Sequence, residues 1–376
     1  MVKAGFAGFP VLVQFLGLLL CATAGVEAVA QEFRAKAVAS KLESPWAVAF
    51  LPEGRFLVTE RPGRMRVIEA DGAAGAPLGG VPEVVAQGQG GLLDVVLDSE
   101  FPRNRVLYFC FSEPGAGGNS TALARARLSA DRSRLEEVRM IFSQKPKVAS
   151  NAHFGCRIVE ARDGTLFLTL GERYQRMQDA QKLDNHHGKV VRLKKDGGAA
   201  SGNPFAGRPG ALPEIWSYGH RNPQGATLAP DGALWIHEHG PQGGDEINLP
   251  QAGRNYGWPV ITFGENYGGG KIGDGLTAAS GMEQPLHYWV PSIAPSGMVF
   301  LTSDRYGSAL KGSLFIGSLK FTNLVRLEIE SGKVVREHKL LEGVGRVRDV
   351  RQGPDGLLYL LTDSPSGQLL RVLPSP

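Results

Sequence analysis

The chain has 376 residues, with 41 Lys and Arg against 37 Asp and Glu, a formal charge of +4, and 42% hydrophobic residues. The charge is spread thinly, with no run of Lys and Arg suited to a phosphate backbone, so no nucleic-acid partner is expected. Fifty glycines and 24 prolines punctuate the whole length, which excludes a helical protein, and three cysteines exclude a disulfide-stapled scaffold.

Residues 1–30 read as an export signal. Lys3 gives a positive start, residues 11–20 are almost all apolar, and Ala28-Val29-Ala30 matches a cleavage site before Gln31. The apolar run is too short to span a bilayer comfortably, so no membrane span is expected. Cys21 follows Leu20, where a lipid anchor would want a small residue. The mature chain is therefore expected to start near Gln31 and to work outside the cytoplasm. Residues 31–376 can bury a large core, as one β domain or as two. Cys110 and Cys156 each lie in an apolar segment and are equally compatible with one disulfide or with two separate buried thiols.

One phrase recurs along the chain: an apolar stretch, a short turn with Gly or Asn, then a β-rich run. It occurs as "AFLPEGRFLVTE" at Ala49, "VVLDSEFPRNRVLYFCFS" at Val95 and "RIVEARDGTLFLTLGE" at Arg157. It returns as "ATLAPDGALWIHEHG" at Ala226, "MVFLTSDRYGSALKGSLFIGSL" at Met298 and "DVRQGPDGLLYLLTD" at Asp349. Asp-Gly between β-rich runs is a hairpin signal, because the turn needs positive φ. Six copies predict an all-β, six-bladed β-propeller, in which radial repetition protects the sheet edges. A large sandwich or a pair of β domains is the competing architecture, but no clear linker divides the chain.

Polar residues follow five of the six repeated runs, and in a propeller they converge on one face. They are Glu60 and Arg61, Glu172 and Arg173, His237 to His239, Lys320, and Asp363. A second set lies between the copies: "GQGGLLD" with Gln89, "SNAHFGCR" with His153 and Arg157, "GHRNPQG" with Arg221 and Asn222, and "GRVRD" with Arg346 and Arg348. Histidines and cations around a channel suit an anionic, multi-carboxylate ligand. Taken singly, each has a plainer reading. A lone His is commonly structural, Arg-Asn-Pro can be a turn, and Arg348-Asp349 can be a surface ion pair worth little. The stretch "HEHGPQGGDEIN", residues 237–248, admits three readings: a zinc site, a polar turn or part of a cofactor pocket.

The series "GQGGLLDVVLDSEF", "NAHFGCR", "DNHHGKVVRL", "GHRNPQG", "EHGPQGGDEIN", "NYGWP", "WVPSIAPSGM", "GSLKFTNLVRL" and "GRVRDV", in this order, resembles the soluble pyrroloquinoline-quinone-dependent sugar dehydrogenases of the glucose/sorbosone dehydrogenase family. The resemblance covers nearly all of residues 31–376. It implies a six-bladed propeller that oxidises the anomeric hydroxyl of an aldose sugar to the lactone in the periplasm, using pyrroloquinoline quinone and Ca²⁺. By position, it implies His153 as general base and Arg221 as the group that stabilises negative charge on the reduced quinone oxygen. Lys320, Arg346 and Arg348 would hold the quinone carboxylates, with hydrogen bonds from Gln89 and Asn222. Carbonyls of Gly240 and Pro241 would bind the catalytic calcium, and Glu246 with the carbonyl of Tyr256 a structural one. On this reading His239 lines the channel or braces the loop, and zinc at His237 and His239 lacks a third ligand.

Two departures from the family pattern bear on specificity. The segment "ERYQRMQDAQKLDNHHG" after Gly171 is shorter than in glucose-specific members and resembles the broad-specificity aldose branch. The aromatic that covers the cofactor is either Tyr288 or Trp289, one residue out of register with the family. No haem attachment site, flavin fold or Rossmann fingerprint is readable, so electrons are expected to leave to a separate acceptor. The alternatives are a calcium-dependent propeller lactonase or other hydrolase, which has no use for the cation cluster, and an exported propeller that only binds.

Overall fold

The computed structural model describes residues 1–5 and 33–374. The chain divides into two compact units, Met1–Glu32 and Phe33–Pro376. Residues 1–5 carry no helix or strand, and the rest of the expected export signal lies outside the described residues. No described helix is long and apolar enough to cross a membrane.

The second unit is a ring of six four-stranded antiparallel sheets. Each repeated phrase forms the first hairpin of one blade. These hairpins join Pro45–Phe50 to Phe56–Glu60, Leu92–Leu97 to Val106–Gly115, and Gly155–Glu160 to Leu166–Leu170. The other three join Pro223–Leu228 to Leu234–Glu238, Pro295–Phe300 to Leu314–Ser318, and Val347–Gln352 to Leu358–Thr362. The first strands of successive blades touch one another all the way round, so the ring is closed.

In four of the hairpins an Asx turn sets the reversal. The side chains of Asn104, Asp163, Asp231 and Asp355 accept the backbone N–H two residues on, at 2.8, 3.0, 2.9 and 3.1 Å. Gly232, at φ 93°, supplies the left-handed step that an L side chain resists. Five of the second strands, such as Leu166–Leu170, are buried at every position, and Val106–Gly115 is buried over its first seven, because each blade is covered on both faces by its neighbours. Their sequences are accordingly apolar runs and not simple alternations.

The last blade is closed from the other end of the chain. Phe33–Leu42 pairs with Gly367–Pro374, from Phe33 opposite Pro374 to Leu42 opposite Gly367, and completes the sixth sheet. Phe33–Leu42 stands outside any copy of the repeated phrase.

Candidate active site

A register break recurs at the axial end of every first strand. Pairing skips between Pro45 and Ala47, Leu92 and Val95, Gly155 and Ile158, Pro223 and Gly225, Pro295 and Met298, and Val347 and Asp349. A bulge frees a residue from the two-residue alternation and re-aims its side chain. The skipped residues Trp46, Leu93, Gln224 and Arg348 all line one central cavity of about 560 Å³.

Four cationic side chains, Arg61, Lys320, Arg346 and Arg348, share that cavity with a single carboxylate, Asp363. Arg348 Nη2 reaches Asp363 at 2.8 Å and Arg346 Nη2 at 3.3 Å. Their positive charge holds the Asp363 carboxyl below its ordinary range, although burial opposes them. Buried Arg348 Nε has no hydrogen-bond partner, and no carboxylate pairs with the Lys320 ammonium among the described residues. Arg61 instead donates to the carbonyls of Gly88 and Gly90 at 2.6 and 3.2 Å, which pins the segment carrying Gln89.

Gln89 and Asn222 also line the cavity. Gln89 Oε1 accepts the backbone N–H of His153 at 2.8 Å. His153 therefore stands directly behind the wall, its ring buried and its backbone at φ 51°. Nδ1 of His153 lies 2.9 Å from Glu172 Oε2. An ionised carboxylate only accepts, so the proton sits on Nδ1 and Nε2 keeps its lone pair. Burial lowers the imidazole pKa below its ordinary value; Glu172 opposes that shift and nearby Arg221 adds to it. The imidazole is thus neutral at pH 7.

Arg221 does not line the central cavity. Its Nη1 donates to the carbonyls of His239 and Gly240 at 3.0 and 2.9 Å, and its guanidinium lies 5.2 Å from the Trp258 ring. The residues expected at metal sites gather beside it. Arg221, Gly240, Glu246, Tyr256 and Glu238 surround a void of about 10 Å³, room for one ion or water. Pro241 and Gly240 face an adjoining basin of about 490 Å³.

The loop after Leu234–Glu238 is rich in oxygen. A Cβ on Gly240 would fall 2.1 Å from the Gly243 carbonyl oxygen and 2.3 Å from that of Gly244, so only glycine fits. Asp245 holds the loop by accepting from the N–H groups of Gly240, Ile293 and Ala294 and the Ser292 hydroxyl, all between 2.6 and 2.9 Å. Burial and the Glu238 charge push the Glu246 carboxyl up to about 8. Buried Glu238 and half-buried Glu246 both accept from Asn248 Nδ2, and two carboxylates so placed suit a cation between them.

His239 both lines the cavity and braces the loop, with Nε2 2.6 Å from the Pro295 carbonyl. His237 is fully buried and packs on Gly225, where a Cβ would meet its Nε2 at 2.0 Å. Among the described residues no group of three His, Cys, Asp or Glu side chains gathers to hold a metal.

Three expectations need correction or completion. Neither candidate aromatic lines the central cavity. Trp289 is buried and donates to Glu337 at 2.7 Å, while half-exposed Tyr288 stacks on Phe263 at 3.9 Å. The aromatics that do line it are Trp46 and Phe154, brought there by first-strand bulging and by the turn after His153. Arg348 and Asp349 are not a surface pair: Asp349 is buried and accepts from Arg157 Nη1 at 2.8 Å and Arg351 Nε at 3.0 Å. Cys110 and Cys156 are joined as a disulfide between the second and third blades.

A buried ring under the cavity was not foreseen. Asp94 accepts from Arg351 Nη2 at 2.6 Å and from the Ile158 N–H at 2.9 Å. Arg157 donates to the Gln224 and Arg348 carbonyls at 2.7 and 3.1 Å and lies 4.1 Å from the Trp46 ring. The two cations and two carboxylates neutralise each other, so the excess positive charge belongs to the cavity above.

The fold and site together define a propeller with a cationic central pocket and an adjacent oxygen-rich loop. Residues 42–371 match the family Glucose / Sorbosone dehydrogenase, and the chain belongs to that family. It is 46% identical over 365 residues to the aldose sugar dehydrogenase YliI of Escherichia coli (strain K12), covering 96% of this chain and 98% of that one. The apo-form crystal structure of the soluble aldose sugar dehydrogenase from E. coli superposes with a TM-score of 0.88 at 46% identity, over 91% of this chain and 100% of that one. The PQQ-bound aldose sugar dehydrogenase of Streptomyces coelicolor is also similar, with a TM-score of 0.74 and 28% identity, over 91% of this chain and 99% of that one.

Proposed function

We propose that this chain is an exported, periplasmic aldose dehydrogenase that oxidises the anomeric hydroxyl of an aldose to the lactone, with pyrroloquinoline quinone and Ca²⁺ as cofactors. One observation carries the reading: four cations and one carboxylate surround a cavity of about 560 Å³, with a carboxylate-held histidine behind its wall. A calcium-dependent hydrolase would not need such a surplus of positive charge.

Lys320, Arg346 and Arg348 would hold the carboxylates of the quinone, and the unpartnered Nε of Arg348 fits an incoming acceptor. Gln89 and Asn222 would add hydrogen bonds. Gly240 and Pro241 would offer carbonyls to one calcium, Glu246 and the Tyr256 carbonyl to another. When bound, the quinone supplies a hydride acceptor whose carbonyl the calcium polarises.

The protein's own part is proton transfer and positioning. Nε2 of His153 takes the proton of the anomeric hydroxyl, and Glu172 stabilises the imidazolium through Nδ1–H. Arg221 keeps a fixed positive charge beside the Gly240 loop. The electrons then leave to a separate acceptor.

The test is to purify the protein, add the quinone with calcium or with a chelator, and follow dye reduction with a panel of aldoses. Activity that requires both additions is expected. Absence of quinone binding and of dye reduction would overturn the reading in favour of a hydrolase or a binding module.

A further inference from the structure

Beside the central cavity lies a second groove of about 440 Å³, within the usual ~300–1,000 Å³ of small-molecule sites. Its polar lining is Gln87, Asn119, Ser150, Asn151, Tyr174 and Gln175, with no ionised side chain. The wall between groove and cavity is one segment thick. Gly88 and Gln89 face the cavity, Gln89 N–H donates to the Asn151 carbonyl at 2.8 Å, and a Cβ on Gly88 would fall 2.4 Å from that oxygen.

Tyr174 is where the groove meets the base. Its ring, 47% exposed, stands edge-on to His153 with centroids 5.2 Å apart. Arg173 and Tyr174 both hold left-handed backbone, at φ 67° and 65°. Two consecutive L residues keep that conformation only when their surroundings impose it. Here Glu172 imposes it, accepting the Tyr174 N–H with the same oxygen that faces His153 Nδ1. Arg173 Nη2, under the groove, donates to Asn119 Oδ1 at 2.5 Å and to the Ser150 carbonyl at 2.6 Å.

Amides and a hydroxyl beside an exposed aromatic, without charge, suit a neutral ligand that presents many hydroxyls and one apolar ring face. We infer that this groove binds the second and third rings of an oligosaccharide whose reducing-end aldose lies at His153. This inference rests on the dehydrogenase reading for the first ring, but the groove's affinity does not depend on turnover.

Gln87 and Gln175 are exposed, line only the groove and carry no part of the proton transfer. The double variant Gln87→Ala/Gln175→Ala tests the inference with glucose, maltotriose and cellotriose, using the protein supplied with quinone and calcium. The KM for at least one trisaccharide should rise about tenfold with kcat unchanged, the size expected for two lost hydrogen bonds, while both glucose constants stay put. Equal changes for glucose and trisaccharide, or none for either trisaccharide, would overturn the inference. If no aldose is oxidised, the proposed function falls, and calorimetric titration of the same two proteins with each trisaccharide decides the groove. Binding by the wild type that the variant loses supports it; no binding to the wild type refutes it.

Discussion

Glu172 Oε2 sits 2.9 Å from Nδ1 of His153, and both groups are buried. The pair fixes a tautomer and sets a direction for titration. Burial lowers the His153 pKa, and Glu172 is the main group raising it. For a base that must be neutral, kcat/KM should fall only as pH drops below the ordinary histidine value, about 6.5. Replacing His153→Gln should cost ~10²-fold to 10⁴-fold in kcat. Glu172→Gln removes the raising influence, so the acid limb should move further down while kcat drops. A pH profile left in place by Glu172→Gln would show that the carboxylate does not face the working base.

Arg348 and Lys320 should govern cofactor affinity more than turnover. A charge-assisted hydrogen bond contributes about 1.5–3 kcal/mol, so Lys320→Ala or Arg348→Ala should raise the quinone Kd by roughly 10-fold to 100-fold. Fluorescence titration at two salt concentrations reads both affinity and charge. An unchanged Kd in both variants would remove these cations from the cofactor site.

Arg157 offers a separate test, because it joins blades and does not line the cavity. Arg157→Met leaves Asp94 and Asp349 with one cation, Arg351, between them. Breaking a buried pair costs about 3–5 kcal/mol, which denaturant unfolding will register. Because Arg157 also holds the Arg348 carbonyl, quinone affinity should weaken as well. A variant as stable as the wild type would mean that the ring of charges is filled by water.

The hairpins were legible in the sequence because their signal is local. Asp163-Gly164 or Asp355-Gly356 between apolar runs states the turn, and six such runs state the ring. Lys320, just past a repeated hairpin, and Gln89, Asn222, Arg346 and Arg348, in the loops between copies, were legible as a set, since both kinds of position converge in a propeller, and they line one cavity. Trp46 was not. Its exposure to the cavity depends on a bulge opposite Thr59 and Glu60, and a skipped pairing leaves no mark in the local pattern. Asp94 and Asp349 were equally hidden, because Arg157, which joins Asp349, and Arg351 and Ile158, which join Asp94, come from other blades. The closing strand Phe33–Leu42 was missed because its partner lies more than 300 residues away.

Calcium should act on stability apart from activity. Glu246 and Glu238 both accept from Asn248, and the raised Glu246 pKa means the cation-free fold holds a proton there. The sign follows: this contribution is fully present below the ordinary carboxylate range and is lost as pH rises towards about 8. A cation replaces the proton. At a hundred times its Kd, calcium should add about 2.7 kcal/mol, seen as a higher Tm. Glu246→Gln should abolish that increment without lowering the Tm of the cation-free protein. A calcium shift of the same size in Glu246→Gln would place the stabilising ion elsewhere.

The Cys110–Cys156 disulfide ties the second strand of one blade to the bulged first strand of the next, three residues beyond His153. It closes a loop with a sequence separation of 46. By the chain-entropy relation, a loop of that length stabilises by about 4 kcal/mol, less whatever structure the unfolded chain retains. Both cysteines are fully buried, so a reductant should reach the bond only through unfolding. Thiol labelling should therefore be absent in the native protein with dithiothreitol and appear at the rate of global unfolding. Cys110→Ala/Cys156→Ala should lower the unfolding midpoint by the stated amount, and it should shorten the half-life of activity on warming, because the turn that carries His153 loses its covalent anchor. Rapid reduction of the native protein with no change in unfolding would show instead that the blades hold His153 in place by packing alone.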